Sequence, residues 1–88
     1  MKIVLCSTHF PHCCEVLKTH LPEDQISASP ANELLQTTVD ADVIVPTMHQ
    51  VGKEIIQGTR AKMIHQFGVG LEGVDILAAT EHGIYVAN

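Results

Sequence analysis

Five short apolar runs rich in β-branched residues punctuate the chain: Lys2–Cys6, Asp24–Ala28, Asp42–Pro46, Met63–Phe67 and Ile84–Ala87. Runs of this kind read as strands. They begin roughly twenty residues apart, too far for hairpin connections and far enough for a crossover helix in each gap, so the strands are expected to lie parallel. The segments between them carry a helical period. Phe10, Cys13, Cys14, Leu17 and Leu21 fall on one helix face that begins near Pro11, a residue suited to a first turn because its missing N–H would have no partner there. Ser29 and Pro30 read as the N-cap and first position of a short second helix bearing Leu34 and Leu35, with Asp40 leading back to a strand. A third helix is expected to place Met48, Val51, Ile55 and Ile56 on one face and to stop near Gly58. A fourth should use Val74, Leu77 and Ala78 and end at Gly83. The pattern is a βα repeat.

Length and composition narrow what such a repeat can do. A chain of 88 residues buries about 60–65% of its unfolded surface, enough for one modest core but too little for two halves with a cofactor site between them. No low-complexity segment or linker divides it, so residues 1–88 read as a single domain. Five Lys and Arg stand against ten Asp and Glu, a net charge of -5, and the basic residues Lys2, Lys18, Lys53, Arg60 and Lys62 are scattered. That leaves no electrostatic footprint for nucleic acid or for an anionic membrane surface, and neither is expected as a partner. No apolar stretch approaches the roughly 18 residues of a membrane span, and the apolar start gives way to Ser7-Thr8-His9 too soon for a signal-peptide core. A cytoplasmic location is therefore expected, with Cys6, Cys13 and Cys14 as reduced thiols.

The sharpest local motif is Gly68-Val69-Gly70-Leu71-Glu72-Gly73, which fits G-x-G-x-x-G, follows an expected strand and opens an expected helix. In a dinucleotide-binding fold that motif belongs to the first βα unit, with further strands and an acidic ribose ligand about 20 residues on. Here it follows the fourth strand, so nucleotide binding is not assigned. Main-chain N–H groups at Val69 and Gly70 can still hold a carboxylate or phosphate. The competing explanation is that the glycines only turn the chain from sheet to helix, with Asp75 in a first turn favoured by the helix dipole. Cys6, His9, His12, Cys13 and Cys14 supply enough soft ligands to raise the question of zinc, yet their spacing is not that of paired ligand knuckles. Core and surface roles explain them better, since cysteine on a buried face behaves as a small hydrophobe, and no metal is assigned. His20, His49, His65 and His82 follow no common spacing and read as surface residues. Neither a G-x-S-x-G elbow, an H-E-x-x-H pair nor a P-loop occurs, so hydrolase readings lack their groups. In an open parallel sheet of order 2-1-3-4-5, ligands bind outside the carboxyl ends of the strands, where Cys6-Ser7-Thr8, Pro46-Thr47-Met48 and Gly68-Val69-Gly70 lie.

The stretches Ala41–Thr47, Lys62–Asp75 and Ala78–Asn88 resemble the N-terminal catalytic, or substrate-binding, domain of the NAD-dependent D-2-hydroxyacid dehydrogenases, the phosphoglycerate dehydrogenase group among them. The resemblance runs over nearly the whole chain and is specific from Ala41 onward. It implies a flavodoxin-like three-layer α/β fold around a five-stranded parallel sheet of order 2-1-3-4-5. It also implies that the substrate carboxylate is held by main-chain amides of Val69 and Gly70, with Thr47 on a second loop lining the cleft. Glu72-Gly73 stands where many members have Asp-Asn, so only the backbone role carries over. Family members continue past the position of Asn88 into a hinge and a Rossmann domain with the true glycine fingerprint and the catalytic Arg, Glu and His. The expectation is accordingly a truncated or stand-alone substrate domain that binds small carboxylates weakly and performs no oxidoreductase chemistry by itself. Although the family uses NAD, no cofactor-binding or catalytic residue is assigned to this chain. Two alternatives stay open: a homodimeric interaction module built on surfaces left bare, or one half of a split NAD-dependent dehydrogenase.

Overall fold

The computed structural model describes residues 1–66 and 73–88. Five strands are present, β1 (Lys2–Leu5), β2 (Gln25–Ala28), β3 (Val43–Val45), β4 (Met63–His65) and β5 (Tyr85–Ala87), and every pairing between them is parallel. Their order is β2-β1-β3-β4-β5, so the chain reverses its direction of travel across the sheet between β1 and β3. Helix α1 spans Pro11–His20, with Pro11 opening it as expected. A 3₁₀ turn over Ala31–Glu33 runs into α2 (Leu34–Thr37), and α3 (Lys53–Gly58) and α4 (Ile76–Glu81) complete the set. No helix among the described residues is long and apolar enough to cross a membrane.

Alternation along the strands separates two cores, because successive side chains point to opposite faces. Val4, Cys6, Ile44 and Ile64 face Leu34 of α2, Ile55 and Ile56 of α3, and Ala78 and Ala79 of α4. Ile3, Leu5, Ile26 and Val45 face the other way, against Cys13, Cys14 and Leu17 of α1 and Leu21 beyond it. Covered on both sides, Val4 and Leu5 are fully buried, as expected of a central parallel strand. Among the described residues the second layer does not extend over the whole sheet. Ile64 pairs with Val86 on the α3/α4 side, so their neighbours Met63, His65 and Tyr85 point to the α1 side. No helix of the described chain reaches them there, and Tyr85 is 76% exposed.

Several helix details differ from the sequence expectation. Ser29 caps nothing: its hydroxyl donates to the Pro30 carbonyl and accepts from Thr37 Oγ1, a buried polar link between the end of β2 and the end of α2. Met48 is not on the third helix, which begins only at Lys53, and it is 86% exposed. Val51 is buried but lies before α3, in an isolated parallel bridge with Val74, so both residues continue a sheet rather than a helix face. Leu77 turns outward, while Ala78 and Ala79 carry the buried side of α4. The shared cause is that α3 and α4 have six residues each, too short for the longer periodic stripes read from the sequence.

Candidate functional site

The carboxyl ends of β1 and β3 lie side by side at the point where the strand order reverses, the place where open parallel sheets take their ligands. A cleft of about 530 Å³ opens there. Its walls are Cys6, Ser7, Thr8 and His9 after β1, Pro30 and Ala31 after β2, and Met48, His49 and Gln50 after β3. A second hollow of about 450 Å³ adjoins it, sharing Ala31, His49 and Gln50 and reaching Leu35, Lys53 and Glu54.

Local bonds hold each wall. After β1, Cys6 N–H donates to the Val45 carbonyl at 2.9 Å and prolongs the ladder by one residue, and the Ser7 hydroxyl then accepts from His9 N–H at 3.0 Å. After β3, His49 N–H donates to the Pro46 carbonyl at 2.9 Å, closing a tight turn in which Thr47 adopts φ 58°. A β-branched residue in the left-handed region is strained, and such strain persists where surrounding structure enforces it. Here the enforcing contacts are visible: Thr47 is buried, and its hydroxyl donates to the Pro46 carbonyl. Beyond the turn, Val51 N–H donates to the Gly73 carbonyl at 2.7 Å and Asp75 N–H to the Val51 carbonyl at 3.1 Å. A Cβ on Gly73 would come within 3.3 Å of the His49 carbonyl oxygen. The third glycine of the G-x-G-x-x-G motif is thus used for close approach of two backbone segments. Asp75 then caps α4, its Oδ1 accepting from Ala78 N–H at 3.0 Å.

Of the sequence-derived site residues, Val69 and Gly70 lie outside the described residues. Thr47 sits at the end of β3 but is not a wall of the cleft; its side chain turns inward and its contribution is the shape of the turn that presents Met48 and His49. The cysteines and histidines near the amino terminus disperse. Cys6 is buried at the strand end, Cys14 packs under α1, and His12 is exposed. Among the described residues no group of three or more His, Cys, Asp or Glu is arranged to hold a metal ion. Burial pushes the Cys6 thiol up to about 12, so it remains a neutral SH at physiological pH and is no nucleophile. Sequence reasoning missed Pro30, Ala31, His9, His49 and Gln50 as cleft walls. The available signal was topological: a strand placed beside β1 brings its following loop to the same edge.

Comparison with known proteins agrees with this architecture. A family model described as the catalytic domain of the D-isomer specific 2-hydroxyacid dehydrogenases matches residues 3–88. The chain is 41% identical over 58 residues to a D-3-phosphoglycerate dehydrogenase of Methanocaldococcus jannaschii and 36% identical over 63 residues to a glyoxylate reductase of Thermococcus litoralis. These matches take in 64% and 69% of this chain but span only 11% and 19% of those relatives. Among solved structures, the NAD+-bound 3-phosphoglycerate dehydrogenase of Entamoeba histolytica aligns at a TM-score of 0.80 and 20% identity, over 98% of this chain and 32% of that one. The NAD-dependent formate dehydrogenase of Staphylococcus aureus aligns at 0.79 and 23%, over 98% and 30%. At such identities the structural likeness speaks for the fold.

Proposed function

The chain belongs to the D-isomer specific 2-hydroxyacid dehydrogenase family through its catalytic domain, and from that premise we propose that it supplies the substrate-holding part of a NAD-dependent D-2-hydroxyacid dehydrogenase. The observation that carries this reading is the open cleft at the strand-order reversal, walled by loops after β1, β2 and β3. In this reading the chain binds a small 2-hydroxy acid whose carboxylate rests on the main-chain amides of Val69 and Gly70, the role that the family resemblance implies for them, and whose remainder lies against the loop that Thr47 shapes. The two named relatives are a 3-phosphoglycerate dehydrogenase and a glyoxylate reductase, and both names refer to small carboxylates. Hydride transfer needs a cofactor held against the substrate and a group that takes the hydroxyl proton, and in this reading both come from residues outside this chain. The use of Gly73 for packing against the His49 carbonyl supports leaving the nucleotide elsewhere. Free thiols at Cys6, Cys13 and Cys14 suit a reducing compartment such as the cytoplasm. Titration of the labelled chain with millimolar D-lactate and D-glycerate tests the assignment: Val69 and Gly70 amide resonances move with the acids and stay still with NAD. Unmoved amides at saturating acid would refute it.

A second reading, self-association, is favoured by the bare α1-side face of β4 and β5, where Met63, His65 and Tyr85 lack a covering helix among the described residues. Uncovered apolar sheet surface is a site for a partner, and a second copy of the chain is the simplest one. Sedimentation over a concentration series distinguishes the dimer this predicts from a monomer, which would end the idea.

A further inference from the structure

The two edges of the sheet are guarded unequally. An edge strand offers a row of unpaired main-chain groups, and proteins blunt it with charge or proline. At the β2 edge Glu23 and Asp24 precede the strand and Pro30 follows it. The β5 edge has neither guard, since Ile84, Tyr85, Val86 and Ala87 are all uncharged and none is proline. Its outward groups follow from the ladder. Tyr85 N–H donates to the Lys62 carbonyl and the Ala87 carbonyl accepts from Gln66 N–H, so Tyr85 and Ala87 turn their main-chain groups towards β4. The direction alternates along the strand, and Val86 therefore points both its N–H and its carbonyl away from the sheet. Beside that edge a hollow of about 340 Å³ lies between β5 and α4, walled by Ile76, Thr80, Gly83, Ile84, Tyr85 and Val86, none of them charged.

From this edge we propose that two copies of the chain pair β5 with β5 in antiparallel fashion about a two-fold axis, joining their sheets into one. The proposal rests on the self-association reading above and says where the copies meet. A two-fold axis requires a self-complementary surface, and Val86 provides one: set opposite its counterpart, each residue donates to the other's carbonyl. In that register Tyr85 stands opposite Ala87 of the second copy. The two Tyr85 residues then lie on a diagonal of about 7–8 Å, within reach of aromatic side chains. On the other face of the sheet, Ile76 and Thr80 of each α4 line the seam. Glu81, the charged residue of α4, follows Ile76 by five positions and so lies about 140° round the helix from it. Ile76, Leu77 and Tyr85 expose roughly 400 Å² of side chain between them, the size of patch that marks an interaction surface on a monomer. A standard interface takes ~800 Å² from each partner, so the dimer is a weak one in which main-chain bonds carry much of the affinity.

The test is sedimentation of the whole chain from micromolar to millimolar concentration, combined with amide hydrogen exchange and tyrosine emission. The chain has one Tyr and no Trp, so the emission reports on this edge alone. As the dimer fraction rises, exchange of the Val86 amide should slow and Tyr85 emission should change in step. Val86→Pro removes two interchain bonds and spares the β4–β5 ladder, to which the Val86 N–H does not contribute; association should weaken about 5- to 100-fold. Ile76→Glu, at a half-exposed position in the first turn of α4, sets like charges across the seam and should weaken association while circular dichroism shows the fold retained. A dimer whose Val86 amide exchanges as fast as in the monomer, or that a folded Ile76→Glu variant forms equally well, overturns the edge pairing and leaves self-association through the β4–β5 face standing. A monomer at every concentration overturns both.

Discussion

Replacing Asp75 by Ala isolates one bond that joins local sequence to the geometry of the site. The Asp75 carboxylate accepts from Ala78 N–H at 3.0 Å and is the side-chain cap of a helix only six residues long. Ala78 is 4% exposed, so its N–H finds no easy substitute in water once the carboxylate is removed. Loss of an Asp cap costs about 0.5–2 kcal/mol, typically ~1. For a domain of this size a change of ~1 kcal/mol lowers Tm by about 4–8 °C. The backbone bond from Asp75 N–H to Val51 survives the substitution, so the site loop should loosen rather than detach. Asp75→Asn separates the causes: Asn caps as well as Asp, and only the interaction of the negative charge with the helix dipole is lost, worth about 0.3–1 kcal/mol. Urea and thermal unfolding followed by circular dichroism give both values. Asp75→Ala within about 0.3 kcal/mol of the parent chain, or Asp75→Asn as damaging as Asp75→Ala, would refute the capping argument.

Three further outcomes follow from the same geometry. Thr47→Gly removes a β-branched residue from φ 58° and should stabilise the chain by up to about 1 kcal/mol in urea melts, the relief of backbone strain outweighing glycine's entropy cost; a loss of stability would show that the buried methyl and hydroxyl matter more. Gly73→Val brings branched carbons onto the His49 carbonyl, already 3.3 Å from a bare Cβ, and should cost about 1–3 kcal/mol and shift the His49 and Gln50 amides, whereas unchanged amide positions would mean that the two segments do not touch. Cys6, raised from 9.0 to about 12 by burial, should resist a thiol reagent at pH 8 in the folded chain and react only on unfolding. Because its folded value lies above the unfolded one, the stability linked to this thiol is complete below pH 9 and is lost as the pH rises towards 12.

The parts of the fold legible in the sequence are those set by short-range pattern. Each expected strand is present, shortened by a residue or two at its ends, because short runs with β-branched residues between helical stretches leave a clear trace. Pro11 opens α1, and the face it begins, from Cys13 to Leu21, packs where the period places it. Failures gather around α3 and α4. Met48, Val51, Val74 and Leu77 all fit a helical period, yet a left-handed turn at Thr47 and a parallel bridge between Val51 and Val74 take that stretch of chain for other purposes. No window of sequence contains that bridge, since its halves lie on separate loops. Ser29 fails for a related reason: its hydroxyl is claimed by Thr37, at the far end of α2.

The sequence by itself therefore determined the layered βα repeat and its parallel sheet, and with them the strand edge at which open parallel sheets offer a cleft, since burial and chain connectivity leave few alternatives. The content of that edge was a tertiary matter. His9 and His49 are far apart in the chain, and they wall one cleft because β3 pairs with β1 and carries its loop alongside. The face of β4 and β5 that no helix covers among the described residues is equally invisible to residue pattern, because a strand residue reads as apolar or polar without revealing whether a second layer lies above it.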